Sequence, residues 1–553
     1  MQNLHFKIAI LTRGQAANGP VADLVNQISA AGISKIYFFE LHDAQASRHH
    51  RKGIIARFRS LLRLINDAVT DGVVRTEIFL LNYRRKQKNP RWEDTISSIY
   101  RTRKFVQVYK KEMDGKEYVD WSDMKAIAHI NPDILVQIDS PQPPAGISNA
   151  AKFGLLELIY SPATLEVAPR PGFWTSYYRK NKTEFQIRHY QHGIDSGTLL
   201  LHGSFATKLL FSENYQSLVR QANAQLVLLI LKIVRNVKFL PRRKERGFDF
   251  ACASPPGSLA LLAYIFKSSY RVGRKFLRCA FNIKQKWSLA LTIGPWVHAN
   301  ERDIFRIEPP PGKFWADPFL FEHSDQLYCF VEEYDYKTKK GHISVLSIKD
   351  EKAMKIGSCL EKPFHLSFPY IFRYEGNIYM CPEASESNEI TIYRSQMFPL
   401  KWNVHSTEMS GIAAADTMIF EFDGKWWMFT NIDTSGTHDY CSALHIFYSD
   451  KPVHGNWNAH AMNPVIVDSR GGRNGGLIIQ DGRIFRGAQV QGYDQYGQRL
   501  IVSEIVLLNE FEYVEAECKE FAPIPHTGLV GVHHISTTGN MTVVDQLTSR
   551  FKA

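Results

Sequence analysis

A seventeen-residue pattern that recurs four times constrains this chain more than any other feature. The copies are DPFLFEHSDQLYCFVEE (317–333), FPYIFRYEGNIYMCPEA (368–384), DTMIFEFDGKWWMFTNI (416–432) and NGGLIIQDGRIFRGAQV (474–490). Each reads as an apolar strand, a two-residue polar turn and a second strand. Aligned on their second residues, Pro318, Pro369, Thr417 and Gly475, they lie 51, 48 and 58 residues apart. The turn residues Asp325, Gly376, Gly424 and Gly482 share one offset, as do Tyr328, Tyr379, Trp427 and Phe485. A weaker fifth copy occupies 533–546. A two-stranded unit cannot bury its own faces, so repeats of this length stack on their neighbours as propeller blades. Five copies predict a five-bladed β-propeller over 287–553. WSLALTI (287–293) is expected to supply the strand that closes the ring against the C-terminal one.

In a propeller the first strand of each blade lines the channel, and the residue at its start faces one mouth. Asp317, Phe368, Asp416 and Asn474 take that place in the alignment. Asp317 and Asp416, two blades apart, are therefore expected to face each other across an axial pocket. Pro318 is tolerated at a strand's start, where a missing donor costs the ladder nothing. Two carboxylates converging among aromatics suit glycoside chemistry, one as acid and the other as base or nucleophile. Glu383 in PEAS and Glu333 in VEE are further candidate acids, and Trp315, Phe368 and Asn474 are candidate substrate contacts. The alternative is that Asp317 and Asp416 cap strand ends or hydrogen-bond the next blade. A metal is left open: the two acids could hold Ca²⁺ in the channel, but the sequence does not supply a complete oxygen-ligand set, and no metal-ligating residues are assigned. The seven cysteines are scattered without a close pair, which indicates neither a zinc site nor a disulfide framework.

Residues 1–240 alternate strand-like and helix-like segments, the rhythm of a doubly wound α/β domain. KIAIL (7–11) is followed by a helical pattern over 19–32, then KIYFFEL (35–41). Later WSDMKAIAHI (121–130) ends at NPDILVQID (131–139), where proline breaks the helix and a strand resumes. Residues 241–286 read as a basic linker. Net charge is +12, much of it in RNVKFLPRRKERG (235–247) and KSSYRVGRKFLR (267–278), a region suited to an anionic membrane or a phosphate-bearing substrate, or simply to water. The helix-like stretch 212–236 is either an amphipathic membrane-surface helix or a packed helix closing the α/β domain. No nucleic-acid-reading motif accompanies the charge, so no nucleic-acid partner is expected. The start shows no signal-peptide pattern, and the apolar runs 226–231 and 259–266 fall short of the roughly 20 residues of a bilayer span. A cytoplasmic location, either free or peripheral to a membrane through 235–278, follows as an expectation.

Three resemblances add to this reading. The propeller resembles the five-bladed clan of arabinanases, xylosidases and invertases, which implies Asp317 as base or nucleophile and Asp416 as an orienting acid. The fourth blade, with RNGG (473–476), departs from that clan's acid. FWADPFLFE, EEYDYKTKKGHISV (332–345), FPYIF, IYMCPEAS and ADTMIFEFDGKWWMFTN together resemble the N-terminal domain of plant glucosamine inositolphosphorylceramide transferases and their bacterial relatives, over about 260 residues. That implies work on a sugar or glycoconjugate, without the glycosyltransferase domain, which is separate in the plant proteins. NPDILVQID and HYQHGIDSGTLLLHGSF (189–205) resemble methionyl-tRNA and sugar N-formyltransferases. This implies Asp195 as catalytic acid, His192 as a nearby substrate contact and 10-formyltetrahydrofolate as cofactor. Where that family carries Asn and His, this chain has Glu157 and Ile159. The functions left open are sugar group transfer or hydrolysis in bacterial glycoconjugate or polysaccharide metabolism, sugar N-formylation, and non-catalytic binding of a glycan or lipid headgroup.

Overall fold

A computed structural model describes residues 4–13, 19–43, 72, 76–77, 105–113, 116–138, 143–160, 171–192, 196–235, 247–249, 256–281, 283–299, 305–349, 352–524 and 527–552. The chain divides into two units, 1–271 with 434–437, and 272–433 with 438–553.

The first unit is built on an eight-stranded sheet in the order β4-β3-β2-β1-β5-β6-β7-β8. The strands are β1 (Leu4–Arg13), β2 (Ile33–Asp43), β3 (Phe105–Met113), β4 (Lys116–Val119), β5 (Ile134–Ile138), β6 (Leu155–Ile159), β7 (Lys182–Tyr190) and β8 (Thr198–Ala206). From β3 to β6 the pairing is parallel, while β4, β7 and β8 run antiparallel at the margins. Parallel strands covered on both faces read as continuous apolar runs, and Ile8, Ala9 and Ile10 are all fully buried. The helix Trp121–Ile130 ends at Asn131, which takes φ 51, and Pro132 follows before β5 begins. The helix Phe211–Val234 is long and apolar enough to cross a membrane. Here it is a packed helix, against the helix Gly19–Ala30 and β7, with most of its residues buried. Part of the expected linker forms a further helix, Ser258–Ala280, which runs across the division between the units.

The second unit is a propeller of five blades. Blades 1, 2 and 4 are four-stranded, over residues 313–360, 367–410 and 473–521, and blade 3 spans 414–467. Blade 5 joins the two ends of the unit: Ile283–Ile293 pairs antiparallel with Met541–Lys552 along almost its whole length. This is the expected closure. The inner strands Lys313–His323, Ser367–Tyr374, Ala414–Phe422, Arg473–Gln480 and Ile535–Thr538 neighbour one another in turn, and the last returns to the first. In the first four blades each inner strand turns back through two residues of positive φ: Ser324 and Asp325, Glu375 and Gly376, Asp423 and Gly424, Asp481 and Gly482. That is the hairpin geometry whose twist matches the strands, and it explains why Gly and Asp recur there. Between blades the faces pack through large apolar residues such as Phe330, Phe372, Met380, Trp427 and Phe429.

Candidate functional site

The inner strands of blades 1–4 share one irregularity. Their pairing skips two residues in each, 317–318, 368–369, 416–417 and 475–476. The first skipped residue has φ 48 in Asp317, 45 in Phe368 and 47 in Asp416. A bulge of this kind re-aims a side chain, and Asp accepts the left-handed region more readily than most residues. Pro318 and Pro369 thus sit inside strands at positions with no ladder bond to lose, not at strand starts as the sequence suggests. In blade 4 the bulge falls on Gly475 and Gly476, so Asn474 stands level with Ala316, Ser367 and Ala415, one place before Asp317 and Asp416. A Cβ on Gly476, at φ +114, would lie 2.0 Å from the Ile535 carbonyl of blade 5. Glycine is required there because two backbones meet.

Asp317 and Asp416 are both buried, and each clasps the next blade. Asp317 Oδ2 accepts the Phe368 backbone N–H at 3.2 Å. Asp416 receives Arg473 in two bonds, Nε to Oδ2 at 2.6 Å and Nη2 to Oδ1 at 3.2 Å. Gln489 Nε2 adds a third donor to Asp416 Oδ2 at 3.0 Å. Arg473 Nη2 also reaches Glu383 Oε2 at 3.1 Å, so one guanidinium bridges blades 2 and 3. Burial raises Asp416, Arg473 opposes this, and Glu383 beside it raises it again.

On the other side of the cluster Asp317 meets blade 5. His533 Nε2 lies 3.4 Å from Asp317 Oδ1, and His533 Nδ1 lies 2.7 Å from Asp545 Oδ2. Asp545 also accepts the backbone N–H of His533 and of His534, each at 3.0 Å, and that of Asp317 at 3.1 Å. Asp317, His533 and Asp545 offer three ligand atoms within 4.8 Å of one another, which could suit a metal ion. Asp545 thus accepts three backbone N–H groups that cannot turn away, which fixes this carboxylate beside the His533 ring. The His533 imidazole therefore lies between two buried carboxylates and interacts with both through charge. Burial would depress His533, but Asp545 raises it. Burial would raise Asp545, but His533 holds it below the usual carboxylate range.

Burial pushes Asp317 up to about 6, against the pull of His533. Its Oδ1 accepts no hydrogen bond, His533 Nε2 at 3.4 Å lying outside hydrogen-bond geometry. Glu332, on the second strand of blade 1 opposite Ala316, is pushed well above the usual range by burial and by Asp317, Glu383, Asp545 and Asp416. His365 Nε2 approaches it at 3.4 Å. The site therefore holds one carboxyl raised to about 6 and a second that burial and neighbouring carboxylates push upward, beside a fixed guanidinium. Tyr496, 41% exposed, places its ring edge-on to His533 and beneath the Arg473 guanidinium, forming an accessible rim.

Several sequence candidates lie elsewhere. Trp315 is a core residue: its ring packs with Leu289, Leu291 and Leu346, and its Nε1 donates to Glu333 at 2.9 Å. Glu333, fully buried, is neutralised by Lys313, Lys355 and His342 and is held strongly ionised. Phe368 is fully buried against Phe319 and His534, leaving only its N–H to act at the site. Asn474 is spent on structure, donating to the Asp416 and Phe429 carbonyls at 2.8 and 3.2 Å. The alignment of strand starts, blind to the bulge, put Asn474 one place out of register. In the α/β unit Glu157 and Ile159 are buried in β6, and Tyr190 Oη donates to Glu157 at 2.8 Å. His192 contacts the Ala151 carbonyl at 2.6 Å. Asp195 falls outside the described residues.

The aligned copies did hold a signal for the missed acid. The penultimate residue of each is polar at the end of an apolar strand: Glu332, Glu383, Asn431 and Gln489. All four are inner members of the clasp, Asn431 donating to the Ala443 and Gly472 carbonyls. Arg473, His533 and Asp545 carried no comparable signal.

Residues 303–528 match the family described as Glucosamine inositolphosphorylceramide transferase 1, N-terminal. The chain is 36% identical over 212 residues to glucosamine inositolphosphorylceramide transferase 1 of Arabidopsis thaliana, covering 37% of this chain and 27% of that protein. It is 35% identical over 211 residues to the protein of that name from Oryza sativa subsp. japonica, covering 37% and 28%. The chain thus matches about a quarter of the length of these curated relatives. Among solved structures, a thermostable family-43 glycoside hydrolase aligns at TM-score 0.32 and 14% identity, over 44% of this chain and 89% of that one. The catalytic domain of Coprinopsis cinerea GH62 alpha-L-arabinofuranosidase aligns at TM-score 0.33 and 13% identity, over 47% and 96%. The five-bladed assignment rests on the strand pairing itself.

Proposed function

We propose that the propeller acts on a sugar of a glycoconjugate at the mouth of its channel, by group transfer or hydrolysis. The observation that carries this is Asp317, raised to about 6 with one oxygen unbonded, in one buried cluster with Glu332, which burial and that same Asp317 push upward toward the acid form. A sugar's acetal carbon needs a carboxylate to attack or to activate an attacking hydroxyl, and an acid to protonate the leaving oxygen. Asp317 takes the first role and Glu332 the second. Asp416, with both oxygens on Arg473, fixes that guanidinium for a substrate oxygen. His533, oriented by Asp545, stabilises the ionised form of Asp317. The similarity of residues 303–528 to a family named for glucosamine and inositolphosphorylceramide supports a sugar-bearing substrate.

The formyl-transfer reading gains no support. The positions that would polarise a formyl group hold a buried, hydrogen-bonded Glu157 and an apolar Ile159, so the residues present do not fit 10-formyltetrahydrofolate. The test is a panel of glycans, glycolipids and nucleotide sugars offered to the full chain, with Asp317→Asn and Glu332→Gln beside it. Turnover should fall by at least about a hundredfold in both variants, as expected for losing a general acid or base, while binding persists. Turnover surviving in both would overturn the assignment. Binding without turnover by the parent chain would leave a glycan-binding module in its place.

A further inference from the structure

We propose that the helix Ser258–Ala280 lies on an anionic membrane surface. Its sequence, SLALLAYIFKSSYRVGRKFLRCA, divides around the helix axis into three faces. Leu261, Tyr264 and Ser268 form one face and are buried, Leu261 and Tyr264 against Phe173 and Phe211. Tyr264 Oη is fixed there by Glu77, at 2.5 Å, and by the Phe211 N–H, at 2.7 Å. A second face carries Leu259, Leu262, Phe266, Phe276 and Leu277, of which Leu259 is 83% exposed, Phe266 76% and Phe276 69%. The third carries Lys267, Arg271, Arg274, Lys275 and Arg278.

An apolar stripe of this size held in water marks a contact surface. The charge beside it selects the occupant. The helix has five basic residues and no acidic one, so a second copy would set like charge against like. An anionic lipid surface answers both faces at once: the acyl boundary takes the leucines and phenylalanines, and the headgroup phosphates take the lysines and arginines. Some of these cations have protein contacts already. Lys267 sits 3.8 Å over the Tyr177 ring, and Lys275 pairs with Asp494 at 3.1 Å. Arg271, half-buried, also donates to the Ser176 carbonyl at 3.4 Å. Arg274, Lys275 and Arg278 are exposed, so this end of the basic face stays within reach of lipid phosphate. The proposal does not depend on the propeller's chemistry.

The test is flotation of the full chain with vesicles of phosphatidylcholine, with and without phosphatidylserine. Three proteins are compared: the parent, Phe266→Glu/Phe276→Glu, and Arg274→Gln/Arg278→Gln. Because the two phenylalanines are exposed, their replacement leaves the melting curve unchanged, which circular dichroism checks. The parent should bind the anionic vesicles at least about tenfold more than the neutral ones. The phenylalanine variant should lose binding to both, and the arginine variant should lose the preference for anionic lipid. Equal binding by the parent and the phenylalanine variant would overturn the proposal. So would failure of the parent to bind anionic vesicles, or a parent dimer that the phenylalanine variant dissolves on a sizing column.

Discussion

Asp317 is held in a state that burial opposes. Its folded pKa of about 6 lies above the ordinary 3.8, so the fold favours the protonated acid. Stability from this group is fully present below the ordinary value and is lost as pH rises from about 4 to about 6. Asp317→Asn keeps the left-handed backbone and an acceptor for the Phe368 N–H, and it removes the buried charge. The variant should be more stable than the parent by about 1–3 kcal/mol at pH 8, the lost attraction to His533 setting the lower figure, with the gap closing below about pH 4. Urea unfolding at pH 8, 6 and 4 reads this directly. A parent that is the more stable at pH 8 would show that the carboxylate is there for structure. His533→Gln removes the imidazole that opposes burial at Asp317. The acid limb of any turnover profile should therefore move to higher pH, while His533→Lys, restoring a cation, should move it back.

At the scale of elements, the hairpins and the bulges carry different kinds of information. The two-residue turns were legible because a turn needs particular residues in particular places. Asp-Gly after an apolar run states its own geometry. The bulges were not legible: Asp-Pro, Phe-Pro, Asp-Thr and Gly-Gly have no residue common to all four, only a position in a ladder. Reading them as strand starts displaced Asn474 by one place. Gly476 is where the element depends most on one residue. Gly476→Ala would drive a Cβ into the Ile535 carbonyl and strain φ as well. It should cost about 3 kcal/mol or more and lower the melting temperature, whereas Gly482→Ala in an open turn, where nothing stands within 4 Å, should cost about 1 kcal/mol. Similar losses at both positions would mean that the blades are free to move apart.

For the whole molecule the governing feature is ring closure. Ile283–Ile293 and Met541–Lys552 pair from opposite ends of the unit, so the fifth blade exists only when both are present. Removing 541–553 takes away that sheet's central strand and Asp545 with it. The truncated chain should lose the cooperative thermal transition of the propeller, and His533 should lose its protected ring signals in NMR spectra. A sharp transition at the parent temperature would show that four blades close without the fifth. The repeat, the turns, the number of blades and the closing strand were determined by the sequence alone, because each rests on spacing along the chain. The site was decided only by the tertiary structure. Asp317 and Asp545, 228 residues apart, meet because the ring brings first and last blades together, and Arg473 serves two acids in different blades. Periodicity is a property of neighbours in sequence, whereas the pairing of buried charges is set by which strand ends converge once the ring has closed.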